Sequence, residues 1–187
     1  LLEGREGWQV SQDLEKEDGT YALLNKGVSG LRLGSLNARE RQQCSDDVLA
    51  SYDMALDRLR VMGAEIIAFE NPVSYGDMAD DNGMITAVEE FHNHGYLYKN
   101  PNLPMDEDVR ARMLSGERYH AHDYFGVLQQ RKETIRAFGE SMRGFDALVM
   151  PSSTSTAPKL TEADQALSPG HFTRPFNFLE MCGLSLP

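Results

Sequence analysis

The stretch SDDVLASYDMALDRLRVMGAEIIAF, residues 45–69, sets the fold class. Ser45 stands where an N-cap is wanted, and Asp46 and Asp47 fall in the first turn, where the helix dipole favours negative charge. Val48, Leu49, Tyr52, Ala55, Leu56, Leu59 and Met62 then recur at steps of one, three and four. That spacing draws one apolar stripe along a helix of about five turns. Gly63 takes the position after the helix where a left-handed residue is wanted. Ala64 to Phe69 is short and β-branched, which predicts a buried strand. Upstream, KGVSGLRLG, residues 26–34, alternates apolar residues between glycines and predicts another strand entered and left by turns. Strand, helix and strand with short joints form a βαβ unit, which implies a parallel pair and a right-handed crossover. The class is α/β.

Working outward, Asn71-Pro72 ends the second strand, and a helix is predicted over about residues 78–93. Lys99 to Pro104 reads as a loop, and Asp106 starts a helix through Val109, Met113 and Leu114 that Gly116 closes. The longest helix is predicted from about Tyr119 to Met142, with the stripe Tyr124, Val127 or Leu128, Arg131, Ile135, Phe138 and Met142, and Gly144 ends it. Phe145 to Met150 predicts a strand stopped by Pro151, followed by a Ser/Thr/Pro loop from Ser152 to Gly170. Residues 172–177 lead into a short amphipathic segment, and Leu184 to Pro187 reads as the start of one more strand. Residues 3–20 are polar, and residues 1–20 read as a loop or linker; no internal repeat is present.

The chain has 187 residues, long enough for one domain with a proper core, and its 41% apolar and 25% charged composition is that of a globular protein. Eighteen basic against 29 acidic side chains give a net charge of −11. An acidic chain repels phosphate backbones and anionic lipid, so neither nucleic acid nor membrane is an expected partner. Two cysteines, Cys44 and Cys182, without a CxxC, exclude a disulfide framework and a zinc ribbon, and a reducing, cytoplasmic compartment is the default. No apolar run is long enough to span a bilayer, and the first residues lack the basic and apolar regions of a signal peptide. The chain opens on Leu1 rather than Met, which suggests a piece of something longer.

The residues alone yield no self-contained active site. Ser152-Ser153-Thr154-Ser155-Thr156 is rich in hydroxyls, but no base lies in the loop before Lys159. There is no G-x-S-x-G elbow, no Gly-Gly dipeptide and no G-x-G-x-x-G. His92/His94 and His120/His122 are spaced i, i+2, a ligand spacing that suits a strand, in regions predicted helical; surface histidines are the better reading, and a histidine-based metalloprotein is the weakest of three alternatives. Glu89-Glu90 reads as a structural or loop-ordering carboxylate pair, and Arg110 and Arg112 as helix-surface arginines. Arg131, on an apolar stripe, is expected to snorkel or to pair with a buried acid. Both cysteines read as small packing residues.

Five stretches, in order, resemble the amidase signature family. Residues 26–34 resemble its "KGLRIG" strand, and Leu59-Arg60-Val61-Met62-Gly63-Ala64-Glu65 its "AL..L...GAEV" element. Val109 to Gly116 resembles "V..R...G", and Phe145 to Pro151 resembles "FDALL.PT", with Ser152 in place of Thr. Thr173-Arg174-Pro175-Phe176-Asn177, with Leu184-Ser185-Leu186-Pro187, resembles "T.P.N..G.PALSLP", although Met181-Cys182-Gly183-Leu184 departs from the usual Gly-x-Pro-Ala.

The resemblance implies an α/β/α sandwich, in which residues 1–187 form a single C-terminal portion carrying part of a mixed β-sheet flanked by helices. It implies hydrolysis of a carboxamide by a Ser–cis-Ser–Lys triad that lies in an N-terminal half unmatched here. No catalytic residue is therefore assigned to this chain, nor any metal or cofactor, and the chain alone is expected to be inactive. What remains is pocket wall. Arg112 matches an arginine that holds a substrate carboxylate in amide-transferring relatives, and Thr173 and Asn177 are expected at the pocket. The implied partners are a small amide and the missing half of the same enzyme, with a homo-oligomer left open. A cut through the sheet predicts unpaired edges and aggregation. The alternative in a different class is a non-catalytic binding or scaffold subunit with the same fold.

Overall fold

The computed structural model describes residues 26–162 and 169–186. Along the chain run β1 (Arg32–Leu36), α1 (Ala38–Arg41), α2 (Asp46–Val61), β2 (Glu65–Phe69), α3 (Tyr75–Tyr98), α4 (Glu107–Leu114), a 3-10 turn (Ser115–Arg118), α5 (Ala121–Ser141), β3 (Ala147–Leu148) and α6 (Arg174–Phe178). The strands form a sheet in the order β2-β1-β3, and both pairings are parallel. The segment expected to be a linker, residues 1–20, lies outside the described residues.

The parallel pair expected from residues 26–69 is present. Arg32 to Leu36 registers with Glu65 to Phe69, and α2 lies between them in sequence. Gly63 stands after α2 with φ +94°, the left-handed conformation its place required. Gly34 sets the spacing at the centre of the sheet. A Cβ there would overlap the Leu148 side chain of β3 and stand 3.1 Å from the Phe69 Cβ of β2. Phe69 in turn meets Phe138 of α5 at 5.2 Å and Phe145 at 5.5 Å, so α5 covers the sheet through aromatic contacts. Tyr52 of α2 ties the layers together: its hydroxyl donates to the Val149 carbonyl and accepts from the Leu36 N–H.

Several elements differ from their sequence expectations. Among the described residues β2 is an edge strand, and only Phe69 of its five residues is fully buried. On α2, Ala55 and Met62 of the predicted stripe are exposed, while Tyr52 and Leu56 are buried. β3 is two residues long instead of six, with Phe145 turned into the core beside Phe69. Among the described residues the longest helix is α3, at 24 residues, against 21 for α5. It starts at a Ser74 cap whose hydroxyl accepts from the Asp77 N–H, and it runs through Gly95, which is buried under the Phe91 ring. Gly116 does not close α4; the chain tightens into the 3-10 turn and carries on to Arg118. Residues 181–186 form no strand.

Burial pushes the Tyr52 hydroxyl up to about 12, chiefly through loss of solvent. An unfolded tyrosine titrates near ~10, so the fold favours the neutral phenol. The stability this contributes is complete below about pH 10 and is lost as pH rises through about 12. Urea midpoints measured across that window are expected to fall, and Tyr52→Phe is expected to flatten part of the slope.

Candidate functional site

In parallel sheets the loops after the strand C-termini collect functional groups. After β1 and β2 the chain places a buried polar cluster. The Asn37 amide donates to Asn71 Oδ1 at 2.7 Å, and Asn37 Oδ1 caps α1 by accepting the Glu40 N–H. Glu40 is 2% exposed. Its Oε1 accepts from the Asn71 amide at 3.0 Å and from the Tyr75 N–H at 3.2 Å, and lies 3.3 Å from Arg39 Nε. Its Oε2 stands 3.2 Å from His171 Nε2. One carboxylate thus joins the ends of β1 and β2, the start of α3 and the segment leading into α6. Buried charge is tolerated where it is paired and hydrogen-bonded, as here.

α6 is held at its other end by α5. Arg131 Nε donates to the Phe178 carbonyl at 2.6 Å and Nη2 to the Asn177 carbonyl at 3.1 Å, with Glu180 Oε1 at 3.3 Å. The expectation of snorkelling or of a buried acid is replaced by a helix C-terminus: the guanidinium donates to carbonyls at the end of α6.

The expected site residues fall on two elements. Thr173 and Asn177 come one turn apart on α6 and its lead-in, both exposed. α6 rests on the first half of α3, with His171 beside Gly76 and Arg174 beside Gly83. Arg112 is half-buried on α4, and the 3-10 turn that follows it lies against Ala87 and Phe91, farther along α3. α3 is the helix against which both elements pack. Arg110, read as a surface arginine, is only 8% exposed. It donates to the carbonyls of Tyr98, Asn100 and Leu103 and pairs with Glu107, closing the loop between α3 and α4.

Other sequence features separate cleanly. The hydroxyl loop after β3 docks on the start of α2, where the Ser45 N–H donates to the Thr154 carbonyl at 2.8 Å. Ser152 and Ser185 place their hydroxyls 3.5 Å apart. Among the described residues no lysine is bonded to a serine hydroxyl; Lys99 and Lys159 pair with Glu117 and Glu162. His92 and His94 are exposed, and the His120 and His122 rings stack at 5.7 Å. No group of three metal-binding side chains occurs among the described residues. Glu89 accepts from the Tyr124 hydroxyl and Glu90 from Tyr98, so the pair braces α3 against α5 and against its own last turn. Cys44 packs at the core, where burial pushes its thiol up, whereas Cys182 is exposed and not a packing residue. An open groove of about 570 Å³ runs between α3 and α5, lined by Met84, Tyr119, His122, Asp123, Val127 and Gln130. No helix among the described residues is long and apolar enough to cross a membrane.

Sequence reading missed Glu40, Asn71 and His171. Glu40 lies in Ala38-Arg39-Glu40-Arg41, which reads as a solvated charge run, and Asn71-Pro72 reads as a strand end. The usable signal was Asn37, a cap residue three positions before Glu40.

The family profile described as Amidase matches residues 1–187. The chain belongs to the amidase family. It is similar to an amidase of Pseudomonas putida, 26% identical over 129 residues, covering 69% of this chain and 28% of that protein. It is also similar to the A subunit of the glutamyl-tRNA(Gln) amidotransferase of Dechloromonas aromatica, 25% identical, covering 95% of this chain and 42% of that protein. Among solved structures, an amidase superposes with a TM-score of 0.71 at 20% identity, covering 82% of this chain and 37% of that one. The chain therefore spans under half the length of these relatives. The α/β architecture, with a small parallel sheet flanked by helices, is that of amidase signature enzymes.

Proposed function

We propose that these residues are the C-terminal, pocket-forming portion of a serine-dependent amidase that hydrolyses the C–N bond of a small carboxamide. The nucleophilic serine, its cis-serine partner and the lysine base belong, in this reading, to a preceding segment. The observation that carries it is the family match over the whole chain set against the 28–42% of each relative that the chain covers. The absence of any lysine–serine pair among the described residues supports it. Arg112, Thr173 and Asn177 are assigned to the substrate side. A guanidinium such as Arg112 grips a carboxylate through two parallel hydrogen bonds. Thr173 and Asn177 would orient the carboxamide through hydroxyl and amide contacts. In the same reading, two cysteines with no CxxC favour a reducing, cytoplasmic compartment.

The test compares two polypeptides on a panel of aliphatic and aromatic primary amides, following ammonia release. The complete enzyme carrying this sequence is expected to turn over at least one of them through an acyl-enzyme that hydroxylamine intercepts. The 187-residue chain is expected to show no release above background. Hydrolysis by the short chain would end the assignment of the triad to another segment.

A further inference from the structure

Among the described residues every backbone position with positive φ but one is a glycine: Gly27, Gly30, Gly63 and Gly144 share the property with Glu180, at +57°. A side chain in this left-handed region crowds the following carbonyl, which is why glycine ordinarily takes such a place. Glu180 is ill-suited on a second count. It follows Leu179, the C-cap of α6, and negative charge is disfavoured at the carbonyl end of a helix.

The left-handed turn itself is in use. The Met181 N–H donates to the Phe176 carbonyl at 2.9 Å and the Glu180 N–H to the Asn177 carbonyl at 3.2 Å, the two bonds that close a helix on a left-handed residue. Glycine would make both without strain. What glycine lacks is the carboxylate. Glu180 Oε1 lies 3.3 Å from Arg131 Nη2, and the same guanidinium donates through Nε to the Phe178 carbonyl at 2.6 Å and through Nη2 to the Asn177 carbonyl at 3.1 Å. The Glu180 side chain is 68% exposed, so the ion pair by itself adds little to stability. Its effect is directional. With Glu180 on one side and the Phe178 ring 5.8 Å from its centre, the planar guanidinium has one orientation, and in that orientation it meets the two carbonyls. Phe178 is fully buried, and the exposed Asn177 stands directly before it, on backbone that Arg131 grips from α5.

We propose that Glu180 is a positioning residue: in a conformation that glycine would hold without strain, its carboxylate aims Arg131 at the Asn177 and Phe178 carbonyls and so fixes Asn177 on the pocket wall. The inference rests on the reading of α6 as that wall. Glu180 touches no substrate and takes part in no bond that forms or breaks; it acts through Arg131.

The experiment uses the complete enzyme with propionamide and benzamide as probes, and two variants that both lose the carboxylate but differ in backbone strain. Glu180→Gly relieves the left-handed conformation, whereas Glu180→Ala keeps its strain. Both are expected to raise KM about three- to tenfold with kcat within about twofold, while the melting temperature falls in Glu180→Ala and stays level or rises in Glu180→Gly. Arg131→Gln is expected to raise KM likewise, and adding Glu180→Gly to it is expected to change KM no further. A KM in Glu180→Gly equal to that of the wild type, a KM that follows the melting temperature across the two variants, or separate additive effects of Glu180 and Arg131 would each overturn the proposal. If neither amide is hydrolysed, the proposed activity fails, and the clasp is then judged by the nuclear magnetic resonance signal of the Arg131 Nε–H. Faster solvent exchange of that proton in both variants upholds the aiming by Glu180, and unchanged exchange in both sinks it.

Discussion

Glu40→Ala is expected to remove about 3–5 kcal/mol of folding stability, a large share of what a domain of this size possesses. The loss comes from what is left behind. The carboxylate is 2% exposed and serves four groups: the Asn71 amide, the Tyr75 N–H, Arg39 and His171. Truncation strands the first two as buried donors and leaves a cavity that water alone can fill. Glu40→Gln keeps the shape and one acceptor, so it is expected to lose about 1–3 kcal/mol. Urea unfolding with an unchanged m-value measures both. The location of the damage is a second readout. Amide exchange at Tyr75 and in residues 170–181 should accelerate ahead of the rest, because the strand ends, α3 and α6 meet at this carboxylate. Equal stability of Glu40→Ala and wild type would mean that the cluster is ornament rather than joint.

The same residues show where sequence reading succeeds and where it stops. The β1–α2–β2 unit was legible because the helix start at Ser45, the stripe through Tyr52 and Leu56 and the glycine stop all lie within residues 26–69. The long helix over Ala121–Ser141 was legible from its stripe, with Phe138 buried as expected. Length of α3 was not, because His92-Asn93-His94-Gly95 looks like a helix end, and the contacts that carry it on, Phe91 against Gly95 and the Tyr98 hydroxyl on Glu90, leave no pattern in the sequence. Arg110 and Arg131 were misread because, beside one carboxylate each, their acceptors are backbone carbonyls, which carry no sequence signature. His171 and Glu40 stand 131 positions apart, so no local pattern links them. Arg112, Thr173 and Asn177 were chosen from the family resemblance, and periodicity would have selected none of them.

The glycines divide by what surrounds them, and this yields a prediction with two signs. Gly139, in α5, has nothing within 4 Å of the place a methyl group would take, so Gly139→Ala is expected to stabilise by about 0.5–1 kcal/mol through helix propensity alone. Gly116, in the 3-10 turn, is the opposite case. A Cβ there would overlap the Ala87 carbonyl oxygen and stand 2.6 Å from its carbon and 2.7 Å from the Phe91 Cβ. Backbone of one helix cannot yield as a flexible side chain would. Gly116→Ala is therefore expected to destabilise by about 1–3 kcal/mol, and Gly116→Val by more. The turn has one way out, which is to lift from α3, but Arg110 pins α4 to the Tyr98 carbonyl at the end of that helix and to the Asn100 and Leu103 carbonyls in the loop beyond it. The strain must then pass into the residues between, and Arg112 is among them. The expected signature is a lowered melting temperature together with backbone amide shifts at residues 110–118, while β1 and β2 keep theirs. If Gly116→Ala proves as stable as Gly139→Ala, the close approach of the turn to α3 is wrong, and the proposal that Arg112 faces the substrate loses its footing.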